Sequence, residues 1–417
     1  MRFRIHRGAV AIGGNCVEVQ SMGKSLLLDL GLPLDAVRAD RDLLPPVEGL
    51  VDGANPNLLG VIISHPHSDH HGLLECVHSS VPVFIGEGAR KLLAVASAFT
   101  TGKVFSQHVT AYRQRETLTI GPFQVTPYLM DHSAFDAYAL LVEADGQRLL
   151  YSGDFRAHGR KAWAFEAFLS KPPSHIDVLV MEGTVLGRGD TPAPQTERQL
   201  ETEIAASVGR TTGLVLACFS AQNIDRFVTF YKAALRSGRQ FIADVYTAAI
   251  LDALSLPSLP SPSCPSSNMR VYLPKRQKLR LVRAKRFDLV EPYRDRRIFA
   301  SEIGASPGRW VMMFRGSMVE DAEAIGGLAG GRLIWSLWPG YLDVQNPDLR
   351  AWSDAQGMAF EIKHTSGHAH VSDLGRFVQG VKPKRLVPIH TKHPEQYAEL
   401  FPNVFVSADG QWSELKE

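Results

Sequence analysis

Ser64-His65-Pro66-His67-Ser68-Asp69-His70-His71-Gly72 is the stretch on which the reading of the fold turns. It follows the apolar run Leu58 to Ile63, which predicts a buried strand, and precedes Leu73-Leu74-Glu75-Cys76-Val77, which predicts a helix start. Three imidazoles (His65, His67, His70) and the carboxylate of Asp69 fall within six residues, on a turn leaving a strand. They can therefore converge on one point beyond the sheet edge. Neutral imidazole nitrogen and carboxylate oxygen suit zinc and similar transition metals. The alternating spacing of His65 and His67 lets both rings serve one metal. Asp69 and His70, around the bend, can serve a second. A loop without a metal gains nothing from four histidines in seven positions.

At 417 residues the chain has room for two or three domains with sizeable cores. With 45% hydrophobic and 21% charged residues it reads as an ordinary soluble protein rather than a disordered or membrane one. The net charge is only +2, so attraction to a polyanion has to come from a local patch. Cys16, Cys76, Cys218 and Cys264 stand far apart without a C-x-x-C pair and read as reduced structural thiols. Arg2, Arg4 and Arg7 are not followed by an apolar leader segment, and no span approaches a membrane helix. A cytoplasmic protein with no membrane contact is expected.

Alternation and turn signals predict strands at Phe3 to His6, Ala9 to Ile12, Cys16 to Val19 and Ser25 to Leu30. Val81 to Ile85 and a helix from about Glu87 to Ala98 form a strand–helix unit after the histidine-rich stretch. The strand Phe123 to Tyr128 leads to Met130-Asp131-His132-Ser133. A hairpin around Asp145-Gly146 leads to Ser152-Gly153-Asp154, where the glycine permits a tight bend that can aim the carboxylate. Ile176 to Val180 ends at Met181-Glu182. About 180 residues of alternating strand and helix signals then follow, predicting an α/β insert with a parallel sheet. Inside it, the proline- and serine-rich 256–267 reads as an exposed loop. Between Lys275 and Arg297 lie ten Lys or Arg against three acids, either a solvated helix face or a phosphate-tracking surface. The core pattern resumes at Glu361, passes Ser366-Gly367-His368, and reaches Arg385 to Thr391, where His390 at a strand end can complete a second metal's shell.

The motif H-x-H-x-D-H resembles that of the metallo-β-lactamase superfamily. Glu182, the α/β insert, Ser366-Gly367-His368-Ala369 and Pro388-Ile389-His390 together look like its β-CASP branch, with Glu182, His368 and His390 matching motifs A, B and C. That branch contains RNase J and the pre-mRNA 3′-end endonuclease. The resemblance implies an α/β fold: a metallo-β-lactamase αββα sandwich (1–185 and 359–417) with an inserted β-CASP domain (186–358). It implies two Zn²⁺, with Mn²⁺ as the alternative metal, one on His65, His67 and His132 and the other on Asp69, His70 and His390. Asp154 would bridge them and Asp29 would stand behind the ligands. The implied activity is hydrolysis of RNA phosphodiesters by a metal-activated hydroxide, endonucleolytic, 5′-exonucleolytic or both. Asp69, His368 and Glu182 would be the catalytic residues, with His368 as proton donor or phosphate ligand and Glu182 holding an imidazole. Ser366 and Ser317 are candidate contacts to the substrate phosphate.

Histidine at motif C favours single-stranded RNA over DNA as partner, with a DNA nuclease as the alternative and a homo-oligomer compatible with either. A small-molecule metallohydrolase is a further alternative, against which the long insert argues. The sequence stops 27 residues after His390, so the extra C-terminal domain of typical RNase J is expected to be absent.

Overall fold

Leu140 and Val142 turn to one face of their strand and Ala139 and Leu141 to the other, and all four are buried. Val178 and Val180 against Leu179 and Met181 do the same one strand pair away. A strand buried on both faces loses the polar alternation of a surface strand and reads as a continuous apolar run. In the computed structural model, which describes residues 1–100, 107–188 and 192–416, one face of this sheet meets a second sheet and the other meets helices.

The chain divides into two compact units: Met1–Arg90, Lys103–Pro194 and Gly367–Glu417 in the first, and Lys91–Gly102 and Gln195–Ser366 in the second. In the first unit, one sheet runs in the order Trp412–Glu414, Arg2–Arg7, Cys16–Ser21, Lys24–Leu28, Leu58–Ile63, Val83–Gly86, Val109–Tyr112. The other runs Arg385–Ile389, Val178–Glu182, Gln147–Tyr151, Ala137–Ala144, Phe123–Met130, Leu118–Ile120. Phe3, Val17, Leu26 and Ile62 from the first sheet pack against Phe123, Leu140, Tyr151 and Val387 from the second. On the second sheet's outer face lie the helices Ala162–Ser170 and Val371–Val381, where Phe168 and Phe377 stack with centroids 5.0 Å apart. The fold is the metallo-β-lactamase sandwich, with an α/β insert.

The second unit is built on six parallel strands, in the order Arg270–Tyr272, Gln240–Asp244, Trp310–Phe314, Val215–Cys218, Arg332–Trp335, Ala359–Ile362. Ala359–Ile362 pairs with Arg332–Trp335, so 359–366 completes the insert instead of opening the closing segment of the sandwich. The sequence boundary at 358/359 is corrected to 366/367 because backbone pairing, not the apolar pattern, decides which sheet owns that strand. Two further corrections are local. Residues 9–12 form bends after Gly8 rather than a strand, with the Ala9 amide donating to Asp409 Oδ1 at 3.0 Å. The helical turn expected after the histidines is present as a single 3₁₀ turn, Leu74–Cys76, and a further helical turn forms inside them, at Ser68–His71. The proline- and serine-rich 256–267 contains no strand or helix.

Arg226, wholly buried, donates to Glu197 at 2.9 Å and to the Ser336 carbonyl at 2.6 Å. Arg226→Ala strands the Glu197 carboxylate and is expected to destabilise the insert by about 3–5 kcal/mol. Urea denaturation checks this; a loss under about 1 kcal/mol would mean the carboxylate had found other solvation.

Candidate metal centre

Every sequence-predicted ligand sits at or just beyond the carboxyl end of a strand. In the second sheet, Phe123–Met130, Gln147–Tyr151, Val178–Glu182 and Arg385–Ile389 run in one direction and deliver His132, Asp154, Glu182 and His390. In the first sheet, Lys24–Leu28 and Leu58–Ile63 run parallel and deliver Asp29 and the 64–72 loop. That loop is stapled to the first strand's exit. Amides of Asn15, Leu30 and Leu32 donate to the carbonyls of Asp69, His70 and Ser68 at 3.1, 2.8 and 2.9 Å. Any side chain at Gly31 would put its Cβ 1.7 Å from the Asp69 carbonyl oxygen, so only glycine lets the two segments meet. Gly153 has φ +54°, the tight bend that turns Asp154 inward.

The side chains gather into overlapping sets whose ligand atoms lie within 4.8 Å of one another: His65, His67 and His132; Asp69, His70 and His390; His65, His70 and Asp154; and Asp154, Glu182, His368 and His390. Asp154 is common to the last two and stands between the first two. Its Oδ2 is 3.6 Å from His65 Nε2, 3.2 Å from His70 Nε2 and 4.0 Å from His132 Nε2, and its Oδ1 is 3.5 Å from His390 Nδ1. His390 Nε2 lies 3.3 Å from Asp69 Oδ2.

Hydrogen bonds behind these atoms fix which nitrogens carry protons. Asp29 accepts the Ser64 amide at 2.6 Å, the Ser64 hydroxyl at 2.7 Å, the Tyr151 hydroxyl at 2.8 Å and His70 Nδ1–H at 2.7 Å. Because Ser64 Oγ donates to Asp29, it accepts from His65 Nδ1–H at 3.0 Å. On the other side, Thr184 Oγ1 donates to Glu182 at 2.7 Å and so accepts from His390 Nδ1–H at 2.8 Å. In the rings of His65 and His390 the Nε2 lone pair is left facing the centre; burial opposes charge on His70, but Asp154 and Asp29 on its two sides raise it well above the usual histidine range. His65 Nε2, His70 Nε2 and both oxygens of Asp154 are buried without a hydrogen-bond partner among the described residues. Lone pairs and carboxylates facing one another over 3–4 Å repel unless a positive charge lies between them. The donor set, nitrogen and carboxylate oxygen with every imidazole oriented from behind, fits a divalent transition metal.

The charge balance of this protein follows from burial and these neighbours. Burial, together with adjacent imidazoles, holds His65 and His132 well below the usual histidine range, and His67 at about 4. Burial opposes charge on Asp154, but His390, His70 and His368 outweigh it and hold the carboxyl well below the usual range. Burial likewise disfavours charge on His368, but Glu182 and Asp154 lift it to about 8.

Glu182 Oε2 lies 3.1 Å from His368 Nδ1, and Glu182 also accepts the Phe155 amide at 3.0 Å. Ser317 is exposed on the turn Gly316–Met318 and Ser366 is half-buried; both belong to the inserted unit. Sequence reasoning missed Ser64, Tyr151 and Thr184. The one signal for them was a hydroxyl beside a strand-end acid or ligand.

Residues 27–202 match the family described as the β-lactamase superfamily domain, and residues 358–401 match the Zn-dependent metallo-hydrolase RNA specificity domain. Among curated relatives, Ribonuclease J of Sinorhizobium meliloti is 23% identical over 86% of this chain and 62% of its own length. Ribonuclease J of Mycobacterium tuberculosis is 22% identical over 92% of this chain and 67% of its own. An RNase J-like protein of Methanocaldococcus jannaschii is 26% identical over 59% of this chain and 58% of its own. The chain thus spans about three-fifths to two-thirds of the length of these relatives. A crystal structure of a protein of unknown function from Enterococcus faecalis V583 superposes with TM-score 0.81 over 99% of both chains at 19% identity. Fold and site define a two-sheet sandwich whose strand ends gather a cluster suited to a divalent metal. The chain is thus similar over residues 27–202 to the metallo-β-lactamase superfamily and, over most of its length, to RNase J-like proteins. No helix among the described residues is long and apolar enough to cross a membrane.

Asp29→Ala removes the acceptor that orients His70 directly and His65 through Ser64. It is expected to weaken divalent-metal retention roughly 10- to 100-fold, measured as metal content after dialysis against graded chelator. Unchanged retention would show that the rings orient themselves.

Proposed function

We propose that this protein is a cytoplasmic metal-dependent ribonuclease that hydrolyses phosphodiester bonds of single-stranded RNA. The observation that carries the reading is His368: its side chain is 22% exposed and hydrogen-bonded to Glu182, next to a centre in which His65, His70, His132 and His390 are buried. His65, His67 and His132 would hold one zinc, and Asp69, His70 and His390 a second, with Asp154 shared; manganese suits the same oxygen and nitrogen donors. When bound, such a pair lowers the pKa of water toward ~7 and neutralises charge on phosphoryl oxygens. Two dications against the carboxylates of Asp69 and Asp154 keep the centre positive, which favours an anionic phosphodiester over a neutral ester or lactam.

The protein's own groups do the rest. Glu182 holds His368 Nδ1–H, which leaves the proton on Nε2 free to pass to the leaving 3′-oxygen, a strong base that gains from protonation. The Phe155 amide and the Thr184 hydroxyl fix Glu182, so the imidazolium is held in one orientation. Thr184 ties the same glutamate to His390 and thereby couples the proton donor to the ligand set. RNA as substrate is supported by the RNA specificity family match across 358–401 and by relatives named ribonucleases. DNA is the second reading, since a hydroxide nucleophile needs no 2′-hydroxyl.

The test is incubation with 5′- and 3′-labelled RNA and matched DNA, with and without chelator. Chelator-sensitive cutting of RNA is expected. Internal fragments mark an endonuclease and 5′ mononucleotides an exonuclease, whereas cutting of DNA alone, or of neither, overturns the proposal.

His368→Ala is expected to keep bound metal and lose about 10²–10⁴-fold in turnover. A histidine lifted to about 8 donates only below that value, so wild-type turnover is expected to fall as pH rises through about 8. Glu182→Gln is expected to move that limb to lower pH. A limb that stays in place would remove His368 from the proton-donor role.

A further inference from the structure

The structure sorts the ten cations between Lys275 and Arg297 into two groups. Six are engaged. Lys275 pairs with Glu320 at 2.9 Å, Arg286 with Asp288 at 2.8 Å and Arg294 with Glu291 at 3.8 Å. Arg280 donates to the Thr100 carbonyl, and Arg297 lies 5.1 Å over the Phe299 ring. Arg296 donates to the carbonyls of Ser267, Cys264 and Pro265, pinning the proline- and serine-rich loop.

The other four, Arg276, Lys278, Arg283 and Lys285, are exposed and make no hydrogen bond or ion pair among the described residues. They fall on or just beyond the helix Lys275–Arg283. At 100° per residue, buried Leu281 and half-buried Gln277 mark the anchored side. Leu279 and Val282, 47% and 50% exposed, point the opposite way, between Lys278 on one flank and Arg276 and Arg283 on the other. Phe287, 58% exposed, follows at the helix exit.

We infer that this face is a second, sequence-independent binding surface for single-stranded RNA, remote in sequence from the metal ligands; its ligand rests on the ribonuclease reading. Phosphates meet the four unengaged cations, while bases lie against Leu279, Val282 and Phe287. A single strand offers both a backbone and exposed base faces, which is what alternating charge and apolar surface requires; a duplex offers only the backbone. Three separated apolar side chains on an anchored helix suit bases better than a bilayer, which takes a continuous apolar face.

The experiment compares the metal-loaded full chain with its Lys278→Ala/Arg283→Ala/Lys285→Ala variant, on a fluorescent RNA of about thirty nucleotides and on a trinucleotide. For the long RNA, KM is expected to rise about 10-fold with kcat held, while turnover of the trinucleotide stays unchanged. Three lost phosphate contacts at about 0.7 each should make the plot of log(kcat/KM) against log salt shallower by about 2. Equal KM and equal slope overturn the surface. So does loss of binding to phosphatidylglycerol vesicles in the variant with RNA kinetics intact, which assigns the face to membrane instead. Should the wild type cut neither RNA, the ribonuclease reading falls. Fluorescence polarisation of the uncut long RNA, with the same salt slope, then decides the surface on its own.

Discussion

Both carboxylate oxygens of Asp154 are buried, and among the described residues neither has a hydrogen-bond partner. Ring nitrogens face them instead, because Asp29 and Ser64 hold the far sides of His70 and His65. A carboxylate in that position is tolerable only beside positive charge. The surrounding architecture sustains this conflict: the sandwich core keeps water out, the hydrogen bonds behind the rings stop them rotating away, and the backbone staple at Gly31 keeps the 64–72 loop from withdrawing.

Asp29 and Glu182 divide the task of orientation. Asp29, at the exit of one sheet, governs His65 and His70. Glu182, at the exit of the other, governs His368 directly and His390 through Thr184. Each is a strand-end acid with several donors around it, so each is fixed before it fixes anything else. The division matters for chemistry, since the acid that holds His368 is not the acid that holds His65 and His70. The two can be altered separately.

Much of this was legible in the sequence, for a physical reason. Strands buried on both faces are continuous apolar runs, and the polar residue that ends each run is the one delivered to the sheet edge. Reading His65, His132, Asp154, Glu182 and His390 from run ends therefore located the cluster. What escaped depends on proximity in space. Thr184 and Ser64 look like ordinary turn hydroxyls until His390 or Asp29 is folded against them. The strand Ala359–Ile362 has a pattern that suits either sheet, and only pairing with Arg332–Trp335 assigns it. The four-residue helix Ser68–His71 is too short to show any periodicity.

The parallel pairing of Val178–Glu182 with Arg385–Ile389 joins segments some two hundred residues apart, with Gln195–Ser366 of the second unit between them. During synthesis the inserted unit emerges first and can fold on its own contacts, while the earlier strand waits with an unpaired edge. Until the late strand docks, His390 is missing from the set it shares with Asp69 and His70. A nascent chain on the ribosome thus carries an incomplete centre, and completion is timed by the arrival of its last structural strand in that sheet, well after the histidine-rich loop has left the exit tunnel.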